Sequence, residues 1–140
     1  METGLYYLAI PYKGNEEQQE YRRALSLKVA TEFLRQGIHV FAPVNYVNQF
    51  FERLDPLSFE KRRDVIITYC LAFVRGAKGL ILITAEGWQD SWGVQKELQC
   101  CLENQIPIYK ISPEQIGDNM AHIFNEPWDP TEFIQLDLAS

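Results

Sequence analysis

The residues best placed to do chemistry fall in one continuous stretch, Ile81-Leu-Ile-Thr-Ala-Glu-Gly-Trp-Gln-Asp-Ser-Trp-Gly-Val-Gln-Lys-Glu97. It reads as a buried strand, a polar loop carrying Gly87, Trp88, Ser91 and Trp92, and the first turns of a helix. Such strand–loop–helix edges of α/β sheets take anions and sugars, because the first helical amides have no intrahelical acceptor. Glu97 lies three residues after Val94 and four before Cys101, on the flank of an apolar stripe of Val94, Leu98, Cys101 and Leu102. From there a carboxylate can lean over the strand ends, half-shielded from water. The plainer alternative is a solvated helix carboxylate paired with Lys96 or another surface cation, the ordinary state of a helical glutamate. Ser91 and Gly93 mark the helix entrance. A serine there caps the first amides, or the amides hold a phosphate, and one geometry serves both.

Other polar groups leave more than one reading open. Arg22 shares a helix face with Val29 and sits near the strand C-terminal ends, where ligands of open sheets bind. It could hold a phosphate or form a salt bridge with Glu97 or Glu86. Tyr6 and Tyr7 alternate on the first strand, so one side chain can reach a pocket, with core packing the plainer role. Cys70 falls on an apolar helical stripe and reads as core. His39 and His122 supply neither zinc-ligand spacing nor a base beside a nucleophile. Gly-x-Ser-x-Gly, Gly-x-Gly-x-x-Gly and Gly-Lys-Ser/Thr are all missing, so no metal or cofactor is expected.

The elements that must position these groups alternate. Leu5–Ile10, His39–Ala42, Leu80–Thr84 and Ile106–Ile111 are apolar runs of strand length, the first two stopped by Pro11 and Pro43. A first helix starts at Glu16 and Glu17, presents Ser26, Val29, Ala30, Phe33 and Leu34 on one face, and ends at Gly37. A second is expected over Phe59–Arg75, with Val65, Ile66, Cys70, Phe73 and Val74 at helical spacing. A third runs over Trp92–Asn104, and Pro113 opens a further helical stretch. Val44–Pro56 reads as a loop or short helical excursion. The tail from Asn125, with Trp128 and Phe133, is too apolar to be free, so it packs on this domain or on a neighbouring subunit. The alternation predicts one α/β domain over residues 1–140 with a small doubly wound parallel sheet.

Composition narrows the partners. A net charge of −6 leaves no basic stripe for a nucleic-acid backbone. No apolar run reaches membrane-spanning length, and Met-Glu-Thr-Gly lacks a signal-peptide pattern. Cys70, Cys100 and Cys101 form an odd set, two of them adjacent, which fits a reduced cytoplasmic protein.

With these pieces placed, the chain resembles the nucleoside 2-deoxyribosyltransferase-like superfamily over roughly residues 5–111. The resemblance rests on Tyr6-Tyr-Leu-Ala-Ile-Pro-Tyr12, on Arg22, on Gly37-Ile-His-Val-Phe-Ala-Pro43, and above all on Gly87-Trp-Gln-Asp-Ser-Trp-Gly-Val-Gln-Lys-Glu97. The last block is similar to that family's Gly-Trp-x-x-Ser-x-Gly-Val-x-x-Glu signature. It implies a flavodoxin-like, three-layer αβα fold with a parallel sheet of four to five strands. It also implies cleavage of the N-glycosidic bond of a (deoxy)nucleoside or its 5′-monophosphate, with Glu97 as nucleophile and Tyr6 orienting it. By the same resemblance Ser91 and Gly93 hold the 5′ end of the sugar, and Pro11, Arg22, Gly87 and Trp88 line the substrate site. A homodimer or larger assembly is expected, since related sites are often completed by a neighbouring subunit. The sequence departs from the family at two positions. Cys70 and Lys78 stand where the family places aspartates, the first credited with meeting the departing base.

Overall fold

Four short apolar runs become parallel strands: β1 (Tyr6–Ala9), β2 (Val40–Phe41), β3 (Gly79–Ile83) and β4 (Ile108–Ile111). The computed structural model describes residues 4–134. The strand order is β2-β1-β3-β4, a flavodoxin-like order whose direction of winding reverses between β1 and β3. The helices are α1 (Glu16–Arg35), the single turn α2 (Asn48–Phe51), α3 (Phe59–Gly76) and α4 (Trp92–Glu103).

The period-two alternation of the strands divides the core into two halves. Tyr7, Ala9, Leu80 and Leu82 point to one face, where Cys70 and Val74 of α3 and Val94, Leu98 and Cys101 of α4 cover them. Leu8, Ile81 and Ile83 point to the other, against Leu25, Val29 and Phe33 of α1. The result is the three-layer αβα arrangement expected. Four strands occur among the described residues.

Local chemistry sets the helix limits. Asn15 and Gln18 form a reciprocal capping box at the start of α1, with Glu16 and Glu17 in the positive first turn. Gly37, at φ +78°, turns the chain just past its end. Ser58 caps α3 by accepting from the Lys61 amide at 3.2 Å.

Two expectations need correction. Leu34 is 64% exposed, and Val65, Phe73 and Leu102 are also on the surface. The sheet covers a narrower stripe of each helix than the full apolar spacing suggests. The stretch opened by Pro113 is one 3₁₀ turn, Pro113–Gln115, and not a longer helix. Of the two placements open to the tail, its described residues take the first and pack on their own domain: the Trp128 amide donates to the Ile108 carbonyl at 2.7 Å, along the free edge of β4.

Phe33 joins α1 to the sheet and is completely buried. Phe33→Ala is therefore expected to lower stability by about 3–5 kcal/mol, measured by urea denaturation. A loss below about 1 kcal/mol would contradict the packing described.

Candidate active site

Tyr7 comes from the middle of the sheet and Glu97 from α4, 90 residues apart in sequence, and the Tyr7 hydroxyl donates to Glu97 Oε2. The rotation of α4 makes this meeting possible. Val94, Leu98 and Cys101 lock one face of α4 to the sheet, which brings Glu97 to the seam facing α3. Glu97 is only 7% exposed. Burial, which disfavours the charged form, pushes its carboxyl from 4.5 up to about 7, while the hydrogen bond from Tyr7 pulls it down. The Tyr7 phenol is pushed well above its ordinary value, first by burial and then by the charge on Glu97.

Cys70 of α3 is the third member of this group. Its thiol lies close enough to the Tyr7 hydroxyl and the Glu97 carboxyl for each to shift the others' proton affinity. Burial, followed by the Glu97 charge, raises it to about 11. At neutral pH the group therefore offers a carboxyl near its midpoint, a protonated phenol and a protonated thiol. A half-ionised, desolvated carboxylate held by one phenol can attack an electrophilic carbon, or stabilise a positive charge on it.

The structure corrects the role expected of Tyr6. Tyr6 points to the opposite face, 4.7 Å from the Phe124 ring and 6.1 Å from Tyr109. The Lys78 ammonium lies 4.8 Å over its ring, which places Lys78 too on the side away from Glu97. Tyr7 takes the hydrogen bond instead.

Arg22 makes no ion pair with Glu86 or Glu97 among the described residues. Its guanidinium donates to the Lys13 carbonyl, and to the Glu86 carbonyl at 3.1 Å. It thus ties the loop after β1 to the loop after β3, across the point where the winding reverses. Gly87 follows at φ +88°, a left-handed conformation, and a Cβ there would come 3.5 Å from the Arg22 side chain. Pro11 is buried at the end of β1.

The rest of the loop is held from outside. Trp88 packs against Trp128 and Phe133, with ring centroids 5.5 and 5.3 Å away. Buried Gln95 donates to the carbonyls of Gln89 and Phe133, both at 3.0 Å. Gln95 had no signal in the sequence beyond its helical position. Ser91 caps α4 by accepting from the Val94 amide at 3.3 Å, and a Cβ on Gly93 would meet nothing within 4 Å. The helix entrance is therefore capped yet open on the Gly93 side. Two surface hollows, of about 480 Å³ beside Lys110, His122 and Trp128 and about 330 Å³ beside Leu5, Phe41 and Phe73, do not include Glu97 in their walls. Among the described residues no cluster of His, Cys, Asp and Glu could hold a metal ion, and no helix is long and apolar enough to cross a membrane.

Comparison with known proteins bears on this arrangement. Residues 4–112 match the profile of a family described as a domain of unknown function (DUF1937). No curated protein matches the chain. A solved structure of a 2-deoxyribosyltransferase from the psychrotolerant bacterium Bacillus psychrosaccharolyticus superposes with a TM-score of 0.55 at 23% identity, covering 96% of this chain and 93% of that one. The fold is nucleoside 2-deoxyribosyltransferase-like.

The raised carboxyl has a consequence for stability. In the unfolded chain a glutamate ionises near 4.3, whereas in the folded chain Glu97 ionises near 7. Between those values the folded state binds the extra proton, so stability falls as pH rises through this window and levels off above about 7. Glu97→Gln removes the effect. It is expected to be more stable than the wild type at pH 8, by an amount on the order of 3 kcal/mol, with the advantage gone near pH 4. Equal pH dependence in paired denaturation series would contradict a desolvated carboxyl.

Proposed function

The chain belongs to the DUF1937 family, and on that premise we propose that it cleaves the N-glycosidic bond of a (deoxy)nucleoside or its 5′-monophosphate, with Glu97 as nucleophile. The observation that carries this reading is the buried Glu97 carboxyl, held by Tyr7 at the seam of the sheet, α3 and α4. The similar solved structure is that of a 2-deoxyribosyltransferase, which supports the same class of reaction.

The chemistry suits a carboxylate. One Glu97 oxygen bonds to the anomeric carbon as the carbon–nitrogen bond breaks. That bond's electron pair leaves on the base, which takes up a proton from solvent water. The negative charge beside the anomeric carbon stabilises its oxocarbenium character. Water then attacks the same carbon, loses a proton and releases the carboxylate, giving hydrolysis; a second base in place of water gives transfer. Tyr7 fixes the orientation of Glu97, and its hydrogen bond favours the ionised, attacking form. The amide of Gly93 and the cap at Ser91 receive the 5′ end of the sugar, and Arg22, Pro11, Gly87 and Trp88 shape the loop around it.

A second reading, a nucleotide-binding protein without turnover, is favoured by Cys70. Its thiol, raised to about 11, is a poor acid at the position where the family resemblance implies an aspartate that meets the departing base. Asp64 and Asp90 are exposed.

We also propose self-association into a homodimer or larger assembly. Phe41, Tyr46, Phe50, Tyr69 and Phe73 form a continuous circuit of touching rings, and Tyr46, Phe50, Tyr69 and Phe73 are exposed. Such an exposed apolar patch suits an interface.

Two measurements test these proposals. Purified protein offered a panel of deoxynucleosides and their 5′-monophosphates is expected to release free base from at least one, and Glu97→Ala to lower that rate by at least about 10³-fold. Nucleotide bound tightly yet recovered intact would instead establish the second reading. Light scattering should give at least twice the 16.3 kDa chain mass, and a monomeric mass at assay concentration would refute self-association.

A further inference from the structure

Resting on that glycosidase reading, we propose that Arg63, Trp92 and Lys96 form a phosphate-reading mouth above Glu97, making a nucleoside 5′-monophosphate the substrate and not the free nucleoside. The site's position follows from helix geometry. Arg63 precedes Cys70 by seven residues on α3, which puts it on the same face, two turns and about 10 Å toward the end of the helix that lies over the strand C-termini. Cys70 is in the group around Tyr7 and Glu97. Arg63 therefore stands over that group at the level of the α4 entrance.

Three observations there point to an anion. The Arg63 guanidinium carbon lies 4.0 Å from the centre of the Trp92 ring, and Lys96 Nζ lies 5.7 Å from the same ring. Two cations thus converge on the residue that opens α4, where the helix dipole is positive and cations are disfavoured. Among the described residues neither forms an ion pair, although the chain carries a net charge of −6. Moreover, Arg63 Nε is buried and has no hydrogen-bond partner among the described residues. A guanidinium nitrogen is costly to leave unbonded, and a rotation of the partly exposed Arg63 side chain toward a phosphate oxygen at the helix entrance supplies its acceptor. Gly93 adds the fourth part. The space where its side chain would stand is empty, so a ligand can approach the first amides of α4 next to Trp92.

A phosphomonoester matches this set. Two of its tetrahedrally arranged oxygens accept from the planar guanidinium fork, its second charge meets Lys96, and stacking on Trp92 holds the fork in one plane. The sugar bridges from this mouth down to Glu97, so the 5′ end and the anomeric carbon are read by different groups on the same helix.

The experiment uses the full chain and compares a deoxynucleoside 5′-monophosphate with the matching deoxynucleoside. The wild type is expected to prefer the monophosphate in kcat/KM by at least about tenfold, and Arg63→Gln to erase most of that ratio. Lys96→Gln is expected to lower the ratio less, and Arg63→Lys to restore it only in part. Thermal melting checks folding. If Arg63→Gln does not fold, the ratios from Lys96→Gln and Arg63→Lys decide the matter. An unchanged ratio in these variants, or a wild type indifferent to the 5′-phosphate, would overturn the proposal. Calorimetry keeps it separate from the glycosidase reading. If no base is released, tighter binding of the monophosphate than of the nucleoside, lost in the Arg63 variant, still establishes the phosphate mouth. Equal binding of the two overturns it, as does uptake of inorganic phosphate alone without preference between them.

Discussion

The hydrogen bond between Tyr7 and Glu97 is the constraint around which the rest of the structure is arranged. A carboxyl buried between a sheet and two helices loses its hydration, and only a donor placed on the same side can compensate. Here the donor comes from the second residue of the central strand β1 and the acceptor from the second turn of α4. Their meeting demands that β1 and β3 be neighbours, that α4 lie on Tyr7's face, and that α4 be rotated to put Glu97 at its edge. The parallel pairing of β1 with β3 meets the first demand, and the Val94, Leu98 and Cys101 stripe meets the others.

The loops are organised to keep that arrangement from loosening. Arg22 spans the two loops at the reversal point through their carbonyls, so the cation serves as a staple. From the other side the tail closes on Trp88, and Gln95 joins loop and tail through two carbonyl acceptors. Cys70 sits under this assembly as a small, neutral neighbour of Tyr7. An aspartate in its place would set a second carboxylate against Glu97 and raise one of the two further. The thiol leaves Glu97 as the single carboxyl of this group.

Much of this was legible in the sequence, and what was hidden has physical reasons. Apolar runs ended by Pro11 and Pro43, and helix signals at Glu16 and Gly37, lead to the alternation of strands and helices and to a doubly wound parallel sheet. Glu97's flank position on the α4 stripe already suggested partial shielding. Alternation shows that Tyr6 and Tyr7 face opposite ways, but β1 lies in the interior of the sheet with both faces covered, so alternation cannot say which face holds the carboxylate. The partners of Arg22 were equally out of reach, because main-chain acceptors carry no sequence signature. Nor could the spacing within α3 and α4 reveal that Arg63 and Trp92 meet across the two helices.

The central claim is that Glu97 acts as a covalent nucleophile, and it is tested most directly by trapping. Protein mixed with a deoxynucleoside 5′-monophosphate and quenched in acid within a few turnovers is digested and analysed by mass spectrometry. The account predicts an added deoxyribosyl phosphate, joined as an ester to the peptide that contains Glu97 and lost on treatment with mild base. Free base released with no adduct on that peptide, or with an adduct on another residue, would contradict it.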